Sequence, residues 1–343
     1  MTKILFIGGT GLISSACAED AIARGHEVHL LLRGRSARYT PPVGARVING
    51  DLRADPDGAA RILATEFYDS VVDWVAFTPQ HIEDDIRVFT GRTAQFVFIS
   101  SASAYQKPPR GLFVTEDTPL VNPFWQYSRD KIACEERLMR EFRERGFPVL
   151  IVRPSHTYGP SQIPICVGSW AHPWTAIDRM RRGLPLIVPG DGTSLWTVTW
   201  NADFARGFVG LLGRNEWAGH AIHITSDEVL SWNQIYEEAA RAAGVEPNFV
   251  RVPSDLIAAY DPSSAAGLLG DKSHSVVFDN SKIKRAVPDF VCRVPWSEGV
   301  RRSIAWFEAD PTRQTIDVAA NSLWDQILLG YRGAWPLSST NSL

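Results

Sequence analysis

The stretch Lys3-Ile4-Leu5-Phe6-Ile7-Gly8-Gly9-Thr10-Gly11-Leu12-Ile13-Ser14 decides the fold. Lys3–Ile7 reads as a short buried strand, and the pattern from Leu12 to Arg24 reads as a helix. Glycines between them let the backbone turn tightly from strand to helix. The first amides of a helix have no acceptor within it, so a dinucleotide's pyrophosphate can dock on such a turn. The strand before and the helix after raise this above a bare glycine pattern. A merely structural turn is the alternative. Ser14 stands where a third glycine is usual for close helix–strand packing, and serine is small enough to serve. Gly8, Gly9, Thr10, Gly11, Leu12 and Ile13 are thus the candidate phosphate-binding residues.

Outward from this turn, strand and helix alternate. Strands are expected at 27–32, 46–49, 70–75, 95–99 and 149–152, with helices near 57–66, 80–89 and 127–145. Repeated βα units of this kind predict an α/β fold with a doubly wound parallel Rossmann sheet. After Arg153-Pro154 the pattern loosens into prolines, glycines and tryptophans, with a helix at 174–182, a strand at 221–225 and a helix at 231–243. We therefore expect a dinucleotide-binding domain over 1–160 plus about 196–228. A smaller, interleaved substrate domain would take about 161–195 plus 229–310, leaving 311–343 as a C-terminal extension with a frayed tail.

Composition excludes several classes. The 343 residues carry a net charge of −3, which gives no global attraction to nucleic acid or an anionic membrane. No apolar run is long enough to span a bilayer. Cys17, Cys134, Cys166 and Cys292 are scattered, which predicts neither a metal site nor a disulfide framework and suits a reducing cytoplasm.

The second strand ends Leu32-Arg33-Gly34-Arg35, without the acidic residue that grips the ribose hydroxyls of NAD. Arg33 and Arg35 suit the 2′-phosphate of NADP, which favours NADP over NAD; they could equally be solvated loop charges. Asp51, with Leu52 beside it, is placed to meet the adenine edge. The fifth strand ends in Ser100-Ser101-Ala102-Ser103-Ala104-Tyr105, at the carboxyl edge where open α/β sheets bind ligands. Downstream, Tyr127 and Lys131 lie four apart, one helical turn, so the ammonium can lower the phenol pKa and make it an acid/base.

These motifs resemble the extended short-chain dehydrogenase/reductase family, the nucleotide-sugar epimerases and dehydratases, over residues 3 to 307. The likeness is carried by Gly8-Gly-Thr-Gly11, Gly50-Asp51, the serine-rich strand end and Tyr127-x-x-x-Lys131. Arg153-Pro-Ser-His-Thr-Tyr-Gly-Pro160, Pro189-Gly-Asp-Gly192 and Asn201-Ala-Asp203 add to it. The resemblance implies that Tyr127 is the acid/base, that Lys131 holds the nicotinamide ribose, and that Ser101 hydrogen-bonds the reacting oxygen. Ser100, Pro154 and His156 would face the cofactor. Thr78, Ser103, His156, Trp170, Trp174 and Trp196 would face the substrate, three tryptophans making an aromatic pocket.

Departures narrow the reaction. Ala102-Ser103 replace the Asp-Glu of the 4,6-dehydratases, which disfavours water elimination. Thr193-Ser-Leu-Trp196 lacks the arginine that grips a nucleotide diphosphate, so a nucleoside, a glycoside or a less charged polyol competes with a nucleotide sugar.

We expect an epimerase acting on a secondary alcohol of a sugar-like substrate through a transient ketone. The alternative is an NADPH-dependent ketoreductase or dehydrogenase using the same residues. The chain is also similar to bacterial relatives of chloroplast stem-loop-binding proteins, which would imply RNA binding; the acidic balance and complete Ser-Tyr-Lys set count against it. Family resemblance implies a homodimer through the helices at 80–89 and 127–145; Ala133, Leu138 and Phe142 could supply its apolar stripe or equally pack inside one subunit.

Overall fold

A computed structural model describes residues 1–34 and 39–334. Seven parallel strands form the central sheet: β1 (Lys3–Ile7), β2 (Glu27–Leu32), β3 (Arg46–Asn49), β4 (Ser70–Asp73), β5 (Phe96–Ile99), β6 (Val149–Pro154) and β7 (Ala221–Ile224). Their order is β7-β6-β5-β4-β1-β2-β3. The chain builds outward from β1 in one direction and from β4 in the other, so the order reverses between them. Such a switch point opens a crevice at the strands' carboxyl ends, which is where Gly8 and Val75 emerge.

Alternation along each strand feeds two cores. Ile4, Phe6, Leu30 and Val97 face one side with Phe204 and Phe208; Leu5, Ile7, Leu31 and Phe96 face the other with Leu138. Burial on both faces explains why the inner strands read as continuous apolar runs, whereas β3 at the sheet edge is largely exposed. The helices α1 (Leu12–Ala23), α2 (Pro56–Ile62), α3 (Pro79–Phe89) and α4 (Gln126–Arg145) cross between strands. β4 stops at Asp73, two residues short of the expectation, because the Asp73 carboxylate accepts the Val75 amide at 2.7 Å and bends the chain out of the ladder. α2 ends at Ile62, short of residue 66, and the chain continues in tight turns through Ala64 and Glu66.

A second core gathers the loosely patterned half. The strand Leu186–Pro189 pairs with Phe249–Val252, flanked by helices Trp174–Arg181, Trp232–Ala243 and Trp296–Glu308. Helix 232–243 starts with reciprocal bonds between Ser231 and Gln234 and stops at Gly244, whose φ of 76° leaves the helical region. From the expected extension, helix Val318–Gly333 sends Trp324, Ile327 and Leu328 into this same core. The tail thought to fray, 338–343, lies outside the described residues.

Candidate active site

The glycine turn is shaped by close approach. Gly8 has φ 83°, and a Cβ there would sit 2.5 Å from Val75 Cγ1. At Gly9 a Cβ would come within 2.5 Å of Leu30 Cδ2. Ser14 ties the turn together: its hydroxyl donates to the Gly8 carbonyl (3.1 Å) and accepts the Gly11 amide (2.8 Å). Serine at the third small position therefore adds a brace that glycine cannot supply.

The turn opens into a cleft of about 1100 Å³. At one end it is lined by Thr10, Gly11, Leu12, Ile13, Arg33, Asp51 and Leu52. Asp51 accepts the Arg53 and Ala54 amides (3.0 and 3.2 Å), which holds its loop against this end. Beneath it, Arg53 pairs with Asp73 and with Asp85 (2.8 Å) and donates to the His81 carbonyl at 3.0 Å. Asp85 is fully buried, and burial pushes its carboxyl up to about 7 against the pull of Arg53.

At the other end stand Ser101, Ser103, Trp125 and Tyr127, faced by Ser155, His156, Trp170, Trp196, Asp271 and Lys272. The Tyr127 phenol and the Ser101 hydroxyl share this wall. Burial raises the Tyr127 pKa, the Ser101 hydroxyl lowers it, and the Asp271 carboxylate raises it further. Lys131 is buried behind the tyrosine, donating to the Ala76 and Ile99 carbonyls at 2.6 and 2.7 Å. Its ammonium lies 4.7 Å from the Phe77 ring centre, 4.8 Å from that of Phe98 and 5.8 Å from that of Tyr127. Desolvation brings its pKa down to about 8.

The Lys131 ammonium is turned to backbone carbonyls, and the Ser101 hydroxyl lowers the Tyr127 pKa.

The model of the NAD-dependent epimerase/dehydratase family matches residues 4–225. The chain belongs to that family. It is 26% identical over 288 residues to 2′-dehydrokanamycin reductase of Streptomyces kanamyceticus, covering 84% of this chain and 80% of that one. It is 25% identical over 261 residues to a chloroplast stem-loop binding protein of 41 kDa from Arabidopsis thaliana, 72% of this chain and 65% of that protein. Among solved structures, an epimerase of Methanothermobacter thermautotrophicus superposes with a TM-score of 0.73 at 18% identity, over 91% of this chain and 93% of that one. UDP-glucuronic acid 4-epimerase of Bacillus cereus, solved with NAD, gives 0.69 at 20% identity over 90% and 99%. At such identities these two likenesses concern the fold.

Within this epimerase/dehydratase, most residues singled out from sequence meet in the one cleft: the turn, Arg33, Asp51, Leu52, Ser100, Ser101, Ser103, Tyr127, Pro154, His156, Trp170 and Trp196. Arg35 lies outside the described residues. Gly9 packs beneath the turn, against Leu30 and Phe6, rather than lining the cleft. Trp174 does not reach the pocket: it is buried in the second core against Phe307 and Arg181. Its apolar helical neighbours Ile177 and Met180 share that face, which is why it turns inward. Thr78 precedes α3 without lining the cleft; Phe77 and His81 line it instead. Ser100 donates to Glu135 at 2.5 Å, drawn to the buried Glu135–Arg153 pair. Leu138 and Phe142 pack under the sheet inside the subunit, so the apolar stripe expected at a dimer contact is already covered.

Sequence reading missed Trp125, Asp271, Lys272 and Arg53. Arg53 was signalled by its place just after Asp51 at a strand end. Asp271 and Lys272 had no local signal; they end a π-helical turn, Leu268–Lys272, that tertiary packing delivers to the cleft. His156 stacks on Trp170 (5.4 Å between ring centres), and burial lowers its pKa to about 3, so it stays neutral. Among the described residues no His, Cys, Asp or Glu group could hold a metal ion, and no helix is long and apolar enough to cross a membrane.

Proposed function

We propose that this protein is a nicotinamide-dependent epimerase that oxidises and re-reduces one secondary alcohol carbon of a sugar-like substrate. The observation that carries this reading is the Ser101 hydroxyl and the Tyr127 phenol standing together on the wall of the same cleft that opens from the glycine turn. The residues fit a dinucleotide. The positive-φ turn, braced by Ser14, leaves first-turn amides of α1 for a pyrophosphate, and Asp51 sits at the adenine end. When bound, the cofactor supplies hydride chemistry at its nicotinamide ring. Tyr127 takes the proton from the substrate hydroxyl as the carbon becomes a ketone and returns it on reduction. Ser101 donates a hydrogen bond to the reacting oxygen. In this reading Lys131, buried behind the tyrosine, is the residue that would hold the nicotinamide ribose. The epimerase reading requires the cleft to admit the ketone with either face toward the nicotinamide, and the reductase reading does not.

Trp125, Trp170, Trp196 and Phe278 offer apolar faces for a sugar ring, and among the described lining residues Lys272 is the only Lys or Arg at the substrate end. That single cation, with the Asp271 carboxylate beside it, favours a nucleoside, a glycoside or another lightly charged polyol over a nucleotide diphosphate. A net ketoreductase is the second reading, favoured by Arg33 on the cleft wall, which suits exchangeable NADPH. The 2′-dehydrokanamycin reductase similarity points the same way.

The test is to purify the protein, identify any retained cofactor, and screen UDP-glucose, UDP-glucuronate, nucleosides and aminoglycosides with NAD(P)H followed by absorbance. Retained oxidised cofactor with isomerised product supports the epimerase; stoichiometric NADPH oxidation supports the reductase. Full turnover by Tyr127→Phe would sink both.

A further inference from the structure

Behind Ser101 lies a chain of buried hydroxyls that neither the family likeness nor the cofactor explains. Ser128 follows Tyr127 on α4, is wholly buried, and its Oγ lies 2.8 Å from Ser103 Oγ. Ser103 Oγ is 2.9 Å from Ser101 Oγ, and the Ser103 amide also donates to Ser101 Oγ at 3.2 Å. The Asn122 amide fixes the Ser103 backbone through its carbonyl, at 2.9 Å.

Hydrogen counting sets the direction of the chain. A hydroxyl has one proton and two lone pairs, and a buried proton without an acceptor is costly. Ser128 finds its acceptor in Ser103, so Ser103 turns its own proton to Ser101. Both acceptor sites of Ser101 are then filled, by the Ser103 hydroxyl and amide. Its proton is left to point outward, to the Tyr127 phenol oxygen or the reacting oxygen.

We propose that Ser128 and Ser103 are positioning residues that make Ser101 an obligate hydrogen-bond donor, so that the relay Ser128→Ser103→Ser101 stabilises the Tyr127 phenolate. Neither residue contacts the reacting atoms; each acts through Ser101. Cooperative polarisation strengthens each bond by roughly 10–30%. On a charge-assisted bond this corresponds to a phenolate fraction at fixed pH about two- to fourfold lower once the relay is cut. The opposite orientation, Ser101 donating inward, would leave Ser128 without an acceptor and present a lone pair to the phenolate.

This inference rests on Tyr127 as the acid/base, and its test needs no substrate. The protein is labelled with 3-fluorotyrosine, whose fluorine makes the phenol more acidic, and titrated by fluorine NMR. The Tyr127 signal is identified by its loss in Tyr127→Phe. We expect the Tyr127 midpoint to rise in Ser128→Ala and in Ser103→Ala, and to return in Ser128→Thr. Cofactor binding should stay unchanged in these variants and the thermal melt unchanged in Ser128→Ala, whereas Ser103→Ala, which strands the buried Ser128 proton, should melt lower. An unmoved or lowered midpoint in both alanine variants overturns the relay, as does a wild-type Tyr127 that fails to titrate before the fold melts. If Tyr127→Phe turns over normally while the midpoint moves as expected, the acid/base reading falls and the relay geometry stands.

Discussion

Replacing Lys131 by methionine tests how the fold holds a charge behind the tyrosine. Two effects oppose each other at this ammonium. Bonds to the Ala76 and Ile99 carbonyls favour the charged form, while near-complete burial disfavours it. Burial wins, bringing the pKa down to about 8 from the usual 10.5. A lysine whose folded pKa is lowered binds fewer protons folded than unfolded between those two values, so stability rises with pH across that window. Below it the penalty is present in full, about 3 kcal/mol at 1.36 kcal/mol per pH unit. Between about pH 7 and about pH 9.5 the wild type should therefore gain about 2 kcal/mol relative to Lys131→Met, in which nothing titrates there. Urea unfolding of both proteins at the two pH values, with the difference taken between them, isolates this group from every other titration. Two parallel pH profiles would refute the reasoning: the carbonyl bonds would then match the desolvation, and the ammonium would ionise as readily folded as in water.

Tyr127→Phe should lower turnover of any accepted substrate by at least ~100-fold while leaving cofactor affinity intact, as read by steady-state kinetics and fluorescence titration. Gly8→Ala pairs a left-handed backbone with a 2.5 Å approach to Val75 Cγ1 and should cost about 2–5 kcal/mol in urea unfolding. Ser14→Ala removes both braces of the turn; a loss of about 1–3 kcal/mol and weaker dinucleotide binding are expected, measured by unfolding and calorimetry. Arg33→Ala should weaken NADPH binding about tenfold and leave NADH binding unchanged, and equal losses for both would remove Arg33 from the 2′-phosphate assignment.

The sheet could be read from sequence because its inner strands are buried on both faces, and a run such as Lys3–Ile7 or Phe96–Ile99 permits little else. The glycine turn and the Tyr127–Lys131 spacing were legible for a related reason: each is local, set by φ/ψ freedom or by one helical turn. Element ends drifted where a side chain outbid the backbone ladder, as Asp73 does at the end of β4, or where a helix gave way to tight turns, as α2 does after Ile62.

Tryptophans show where local reading stops. Trp170, Trp174 and Trp196 look alike in a proline- and glycine-rich stretch, yet two line the cleft and Trp174 is packed against Phe307 from a helix far along the chain. Lys131 could be placed one turn from Tyr127 by counting, but not its bonds to Ala76 and Ile99. Nothing near Ser101 announces that Ser128 completes a hydroxyl chain, or that Asp271 and Lys272 close the far wall. Sequence by itself determined the sheet, the turn and the spacing of the reactive pair, because periodicity and backbone freedom act over a few residues. Only the tertiary structure decided which aromatics face the cleft, what sets the tyrosine's acidity and which way the serine protons point. Those depend on distances between segments that no local pattern encodes.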